Sequence, residues 1–213
     1  GRPYLAGDPH QPMRSPMVFW MQHLNSADAG GRFDVAGFSF VGTPAVQLGH
    51  NAEVGWTATT SYPDISDLWE VRASADAVRL GGESLPIVRR EEVIEVRGAD
   101  PVPITIEEVP GRGVLLPEGI APLPITRTGR RLLYRWVGFR PTLEAASFLD
   151  LDRARSLDDF EAAVDSMGIG CFNFIGASAD GFSYRSSMLV PDRGPGAVGR
   201  AHWTMLDGDD AAT

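Results

Sequence analysis

Four short segments carry side chains that could bind a metal ion or transfer a proton. Residues 8–10 (Asp-Pro-His) form a turn that exposes one imidazole between two prolines, and residues 49–51 read Gly-His-Asn. Asp64 and Asp67 follow a run of threonines, and residues 191–193 read Pro-Asp-Arg. Imidazoles and carboxylates commonly serve as general acids and bases, and both bind metal ions. Because neither a serine nor a cysteine adjoins the histidine of the first segment, it is either incidental or has a partner outside these residues.

Each segment taken alone also has a purely structural interpretation. A single histidine at a turn is more often a surface or packing residue than a catalyst. Residues 49–51 can form a β-turn in which Asn51 tolerates a positive φ. Two aspartates three residues apart are commonly solvated loop charges or helix caps. The case for chemistry therefore depends on the four segments occurring together and in this order.

Composition and charge exclude several classes of protein. The formal net charge of -9 argues against a nucleic-acid groove, which needs clustered cationic side chains. All 19 basic residues are arginine, so the chain cannot form a lysine Schiff base. The single Cys171 has no partner for an internal disulfide or a zinc motif. No apolar run approaches the roughly 20 residues of a membrane-spanning helix.

The hydrophobic pattern predicts a strand-dominated chain with one or two helices, and hence an α+β fold. Residues 17–24 are apolar at almost every position, which is typical of a strand buried on both faces. Residues 110–124 are punctuated by proline and glycine and are predicted to be a loop, as is the last stretch of the chain. Further strands are predicted at 33–42, after the turn at 49–51, across most of 68–109, at 131–139 and in a hairpin at 171–186.

The clearest helix signal lies at residues 156–167. Ser156 is the predicted N-cap, and Asp159 stands at the capping-box position three residues later. Phe160, Ala163, Val164 and Met167 form an apolar stripe at helical spacing. Residues 141–154 are predicted to be helical as well.

Taken together and in their order along the chain, the motifs resemble those of the penicillin acylase family. The strings are GDPH, then FDVAGFSFVGTPAVQLGHNAEVGWTAT, then DISDLWE, with YRW, DG and PDR stretches in the expected places. This family comprises N-terminal nucleophile amidohydrolases, among them penicillin, cephalosporin and acyl-homoserine-lactone acylases. The resemblance implies stacked antiparallel β-sheets flanked by helices (αββα). It also implies that residues 1–213 are one fragment of the β-chain domain, incomplete at both ends.

The resemblance also implies a mechanism. Members of the family cleave themselves, and the new β-chain begins with a serine whose own α-amino group acts as the base. By the family pattern this serine lies roughly a dozen residues before Gly1, and His10 helps to orient it. The backbone N–H of Thr60 is the implied oxyanion donor, and a second donor, an asparagine side chain, is expected beyond Thr213.

Two further sets of residues follow from the same resemblance. The implied acyl pocket is apolar or aromatic, as a hydrophobic acyl group requires, and consists of Leu48, Ala58, Tyr62 and Phe172. The implied structural calcium site consists of hard oxygen ligands, namely the carboxylates of Asp64 and Asp67 and the carbonyl groups of Ser66 and Pro191. The chemistry itself requires no cofactor.

The expected partners are the α-chain of the same precursor and a small amide substrate, and the expected location is periplasmic or secreted. The fragment alone is expected to be inactive. It is also expected to leave apolar surface uncovered and to self-associate, which light scattering would test.

Two other functions remain open at this stage. In a metal-dependent hydrolase, zinc would bind to Asp8, His10, His23 or His50, since an Asp-x-His spacing permits shared coordination. In a non-catalytic β-rich binding module, His10 and Asp64 would be ordinary surface residues. Stoichiometric transition metal in the purified protein would favour the first. A gene without serine or threonine at the expected cleavage point would favour the second.

Overall fold

The computed structural model describes residues 3–117, 129–193, 201 and 203–210. The chain forms two compact units, one from residues 1–63 and 140–189 and the other from residues 64–139 and 190–213. The elements, in chain order, are β1 (Phe19–Asn25), β2 (Asp34–Phe40), β3 (Leu48–His50), β4 (Val54–Thr60), β5 (Ser66–Ala73), β6 (Ala77–Leu80), β7 (Glu83–Pro86), β8 (Val88–Ile94), β9 (Val102–Val109), β10 (Gly113–Leu115), β11 (Arg130–Trp136), α1 (Glu144–Arg153), α2 (Leu157–Asp165), β12 (Phe172–Ser178), β13 (Gly181–Ser187) and β14 (Leu206–Asp207), with short 3-10 turns at Ala27–Ala29 and Val137–Phe139.

The first unit contains a six-stranded antiparallel sheet in the order β1-β2-β3-β4-β12-β13. One face of this sheet packs against the two helices, because alternate residues of each strand point to the same side. The buried core between them is Val35, Val46, Val54, Trp56, Leu151, Ala154, Phe160, Ala163, Val164, Met167 and Phe174. A Cβ at Gly176 would lie 2.7 Å from the ring of Phe160, so glycine allows α2 to approach β12 closely.

The second unit contains the other sheet, in the order β7-β6-β5-β11-β10-β9-β8. The short strand β14 adds to β5 in parallel, whereas the remaining pairs are antiparallel. The core of this unit is a separate apolar cluster of Trp69, Val71, Val78, Leu80, Ile87, Val109, Leu115 and Leu133.

The predicted helix at 156–167 is present as α2, and its capping agrees with the sequence. The Ser156 hydroxyl accepts a hydrogen bond from the backbone N–H of Asp159 at 3.1 Å. The Asp159 carboxylate accepts from the backbone N–H of Arg155, one residue before the position that a capping box would use. The predicted apolar stripe is buried in the core, and the helix predicted at 141–154 is present as α1.

The prediction for residues 17–24 is wrong in one respect. They form β1, but this strand is not buried on both faces: the exposed fraction is 57% for Trp20 and 73% for Met21, which lie on opposite faces. Among the described residues, β1 is the edge strand of its sheet and pairs with β2 alone. The apolar run therefore belongs to an edge strand and not to a central strand.

Two loop predictions also need correction. Within residues 110–124, Gly113–Leu115 form β10, which joins β9 and β11; residues 118–124 lie outside the described part of the chain. Near the end, Leu206–Asp207 form β14. Both strands are too short to show a periodic pattern, and both exist only because a longer neighbour supplies the pairing edge.

The predicted α+β class is confirmed, since both units are built on sheets and the described residues contain two α-helices. Neither helix in the described ranges is long and apolar enough to cross a membrane.

Candidate active site

The end of β4 next to β12 exposes a backbone N–H group that the sheet does not use. Thr60 lies opposite Phe172, and just beyond this pair the N–H of Ser61 donates to the carbonyl of Cys171 at 2.8 Å. Hydrogen-bonded and non-hydrogen-bonded pairs alternate along an antiparallel ladder. Because residues 61 and 171 are hydrogen-bonded, Thr60 and Phe172 form a non-hydrogen-bonded pair. The N–H of Thr60 therefore points away from β12.

A cavity of about 380 Å³ opens in the first unit at this end of the sheet. Its lining includes His10 and Thr60, together with Leu48, Ala58 and Phe172 of the predicted acyl pocket. β3 pairs with β4 no further along than Trp56, so the space beside the last residues of β4 is left to the cavity. Five of the six predicted catalytic and substrate-binding residues thus line one cavity.

The sixth, Tyr62, is not among the described residues that line this cavity. Its side chain is 93% exposed, two residues beyond the end of β4. The chain has left the sheet at this point, so the alternation that carries Ala58 and Thr60 to one face no longer applies.

His10 reaches the cavity from the N-terminal segment. Its imidazole is 90% exposed, and Nε2 lies 3.6 Å from the Asp8 carboxylate, which is equally exposed. Gly7, three residues earlier, lies close to β4: a Cβ there would be 2.4 Å from the Oγ1 of Thr57. The absence of a side chain at Gly7 therefore lets the segment lie against the sheet and carry the imidazole to the cavity.

A partly buried carboxylate fixes the turn that leads into Phe172. Glu144, the first residue of α1, accepts hydrogen bonds from the N–H groups of Gly168 and Ile169 at 2.8 and 2.6 Å. Burial opposes ionisation of Glu144, but these hydrogen bonds outweigh it, and its pKa is lowered. Cys171, at the end of the turn, is the one non-glycine residue of the described chain with positive φ, at 52°. Burial, and to a lesser extent the charge of Glu144, raises the pKa of its thiol.

Asn51 has a structural role that its motif did not disclose. It does not adopt the positive φ considered above, and its side chain instead makes four hydrogen bonds. The Nδ2 group donates to the carbonyl groups of Asp152 and Ala154 at the end of α1, at 3.2 and 2.8 Å. The Oδ1 atom accepts from the N–H groups of Glu53 and Val54. Asn51 therefore satisfies carbonyls at the helix end and shapes the turn from β3 into β4.

Asp152 holds the segment before β3. Its side chain is 1% exposed, and Oδ2 accepts from the N–H of Val46 at 3.1 Å. The other oxygen, Oδ1, is buried without a hydrogen-bond partner among the described residues. Burial raises the pKa of Asp152 to about 7, and neither this hydrogen bond nor the charge of Arg153 offsets it.

The two predicted calcium-binding aspartates face an arginine in the second unit. Arg193 lies 2.7 Å from the Asp67 carboxylate and 2.9 Å from that of Asp64, and it also donates to the Asp64 carbonyl. A guanidinium group thus neutralises both carboxylates, and the described residues contain no cluster of three or more side chains suited to a metal ion. The residues described do not by themselves make a complete calcium site.

The other histidines have separate neighbours. His23 Nε2 lies 2.7 Å from Asp34, and His50 Nδ1 lies 3.2 Å from the carbonyl of Asn51. Both line a more open cavity of about 750 Å³ in the first unit, which His10 does not line. Within the described ranges, the zinc-hydrolase hypothesis therefore has no site.

Several residues around the site were missed in the sequence. Gln47, Phe148 and Asn173 line the cavity, and Arg193 pairs with the aspartates. Arg193 could have been found, because the Pro-Asp-Arg segment is the only singled-out motif with a cation and the aspartates lacked one. Phe148 could not, since one aromatic residue on a helix is ordinarily core.

The comparison with solved structures shows the fold. The structure is similar to the thermostable penicillin G acylase from Alcaligenes faecalis in its orthorhombic form, with a TM-score of 0.74 and 21% sequence identity. The match covers 92% of this chain and 34% of that chain. The chain therefore has the α+β fold of the N-terminal nucleophile hydrolases, as predicted.

The family follows from the sequence. A family model described as penicillin amidase matches residues 1–213, and the chain belongs to that family. This confirms the resemblance carried by the ordered motifs.

Relatives in the family are acylases. The chain is 37% identical over 101 residues to the penicillin acylase 2 proenzyme of Pseudomonas sp. (strain SE83), a match covering 46% of this chain and 12% of that protein. It is 25% identical over 215 residues to the acyl-homoserine lactone acylase QuiP of Pseudomonas fluorescens (strain Pf0-1), covering 95% of this chain and 26% of that protein. The chain spans only a fraction of the length of these relatives.

Asn51→Ala should destabilise the protein by about 2 kcal/mol or more, because it leaves two carbonyls and two N–H groups without their partners. Urea unfolding measures this loss. His50→Ala is the matched control: the residue is exposed, and the one hydrogen bond found for its ring among the described residues is to a neighbouring carbonyl, so the change should stay within about 0.5 kcal/mol. Equal effects of the two substitutions would contradict the role given to Asn51.

Asp152→Asn should flatten the dependence of stability on pH. The folded protein keeps the Asp152 proton up to about pH 7, whereas the unfolded chain loses it near the ordinary value of 3.8. Asp152 therefore makes the wild-type protein progressively less stable as the pH rises through this window, and asparagine cannot. Urea midpoints at several pH values should show that the stability of the variant relative to the wild type increases as the pH rises.

Asp150→Asn provides the control on the same helix, because Asp150 is exposed and pairs only loosely with Arg153. Asp150→Asn should change the free energy of unfolding by a similarly small amount at every pH. If the stability of Asp152→Asn changes with pH in the same way as that of the wild type between pH 4 and pH 7, the buried carboxylate is not the group that titrates.

Proposed function

We propose that this chain supplies the acyl-binding wall and one oxyanion donor of an amidohydrolase that releases a hydrophobic acyl group from a linear amide. The observation that carries the proposal is the single cavity lined by His10, Thr60 and the apolar side chains of Leu48, Ala58 and Phe172. Membership of the penicillin amidase family supports the same reaction class. The nucleophile is proposed to be an N-terminal serine outside these residues.

The proposed chemistry divides between the serine and the groups of this chain. The serine Oγ attacks the amide carbon, its proton passes to the α-amino group and then to the departing amine, and water hydrolyses the resulting ester. The N–H of Thr60 stabilises the oxyanion, and such a donor contributes about 3–4 kcal/mol in other hydrolases. His10 acts as a positioning residue for the serine.

The walls of the cavity suit an apolar acyl group. Phe19 and Phe40 stack with ring centroids 4.9 Å apart, and Phe172 meets Phe174 edge to face at 5.8 Å. Aromatic walls of this kind bind acyl chains or rings by burial of apolar surface. Which acyl group and which amine are used depends on further parts of the enzyme, including the proposed α-chain.

The remaining expectations stay proposals. The proposed periplasmic or secreted location follows from the family resemblance. The proposed self-association of the isolated chain follows from exposed apolar residues such as Met21 and Phe182. Calcium at Asp64, Ser66, Asp67 and Pro191 would be structural and would have to share the two carboxylates with Arg193.

Calcium binding has a direct test in the full-length protein. If the site exists, millimolar calcium should raise the melting temperature and a chelator should reverse the rise, because an ion bound only to the folded state stabilises it. Asp67→Asn should abolish the response. A melting temperature indifferent to calcium and chelator would exclude the site.

The function itself is tested with the full-length gene product and a series of acyl p-nitroanilides. N-terminal sequencing of the processed subunit should find a serine. His10→Ala should lower kcat by about 100-fold with little change in KM, since misplacing a nucleophile costs about that much. Asp158→Asn, at an exposed position of α2 that is not part of the cavity lining, is the control and should retain most activity. Absence of hydrolysis in the wild type, or unchanged kcat in His10→Ala, would overturn the proposal.

A further inference from the structure

One of the polar side chains that line the cavity is almost completely buried. Gln47, directly before β3, is 3% exposed and contributes to the cavity lining. A buried amide normally has partners for both its oxygen and its nitrogen, since an unpaired one is costly. The two ends of this amide differ in that respect.

The orientation of the Gln47 amide is set by a donor that cannot reverse its role. The backbone N–H of Phe40 donates to Oε1 at 2.8 Å, and the Thr43 hydroxyl lies 3.1 Å from the same atom. A backbone N–H can only donate, so the atom that it contacts must be the amide oxygen. The N–H₂ group therefore occupies the other side of the amide.

That N–H₂ group keeps some accessible surface. The described residues supply it with no hydrogen-bond acceptor, and Nε2 is not among the fully buried polar atoms that lack a partner. Since Gln47 lines the cavity, an acceptor placed there could meet this donor.

The lining of the cavity brings Gln47 together with the acyl-binding wall. Gln47, Ala58 and Phe174 all line the cavity, and Ala58 pairs with Phe174 in the sheet. Because β3 does not pair with β4 beyond Trp56, the space beside Ala58 is left to the cavity. An acyl group in this space would have both an aromatic ring and an amide group in its walls.

The charge of the lining decides between neutral and charged oxygens. Among the described residues, the lining includes Asp8 but no arginine, and the chain has no lysine. A carboxylate on the acyl chain would lose its hydration here without gaining a cation, and Asp8 would repel it. A hydroxyl or oxo oxygen needs only a donor, which Gln47 offers.

We propose that Gln47 donates a hydrogen bond from Nε2 to a neutral oxygen on the acyl chain of the substrate and so selects hydroxy- or oxo-substituted acyl groups. Gln47 is thereby a specificity-determining residue. This inference rests on the proposed function, because it requires that the cavity bind the acyl group.

The test compares acyl p-nitroanilides of one chain length, unsubstituted or with a single hydroxyl or oxo group at successive carbons. In the full-length protein, kcat/KM should be about tenfold higher for one position of the oxygen than for the unsubstituted chain, as expected for one hydrogen bond. A chain of the same length ending in a carboxylate should be the poorest substrate.

Gln47→Glu keeps an oxygen for the Phe40 N–H and replaces the N–H₂ group with a second oxygen; because a protonated carboxyl group can still donate, this variant is assayed at roughly pH 8 and above, where the ionised form cannot. The peak in kcat/KM at the preferred position of the oxygen should disappear. Gln47→Met removes donor and acceptor together and should also lose the peak. Thr43→Val is the matched control: it deletes one contact to Oε1 while leaving the Phe40 N–H in place, so the preference should remain. Melting temperatures separate loss of preference from loss of folding.

The outcomes distinguish the two levels of the argument. Loss of the peak in Gln47→Glu and Gln47→Met, with the peak retained in Thr43→Val, supports the inference. Hydrolysis with the same preference in the wild type and both Gln47 variants, or a wild type without any preference for oxygen, overturns the inference and leaves the acylase proposal standing. If the wild type hydrolyses none of the substrates, the proposed function falls and the inference falls with it.

Discussion

An antiparallel ladder uses the backbone N–H of only every second residue toward a given neighbour, and the candidate site depends on this constraint. The hydrogen bond from Ser61 to Cys171 sets the phase of the ladder between β4 and β12, so that Thr60 turns its N–H away from β12. A one-residue slip would reverse that direction and would exchange the two faces of the sheet. The direction of the Thr60 N–H and the choice of side chains that form the cavity wall are therefore both set by the register of β4 on β12.

Polar side chains of α1 and of the turns keep this register in place. Asn51 links the turn before β4 to the end of α1, and Glu144 at the start of the same helix fixes the turn before β12. Asp152 holds the N–H of Val46 ahead of β3. One helix thus contacts the segments that precede three adjacent strands. Burying the Asp152 carboxylate is costly because its hydrogen bonding is incomplete, and its raised pKa reflects this cost.

The elements that could be predicted from the sequence are those whose signals are local. The cap of α2, its apolar stripe and the β12–β13 hairpin follow from neighbouring residues, and the structure contains them. The exposure of β1 could not be predicted, because an edge strand and a central strand have the same apolar pattern until the neighbours are known. The contacts of Asn51 and the orientation of Gln47 depend on carbonyl and N–H groups that only the folded chain brings within reach. His10 and Thr60 were found through the ordered family motifs, and local patterns alone would have left them as ordinary turn and strand residues.

The proposed function requires that the cavity beside Thr60 hold the acyl group with its carbonyl oxygen at the Thr60 N–H. A crystal structure of the full-length protein with a bound carboxylic acid product tests this most directly. We expect one carboxylate oxygen within about 3 Å of the backbone nitrogen of Thr60 and the acyl chain lying over Ala58. A product bound elsewhere, or with its carboxylate pointing away from Thr60, would contradict the account.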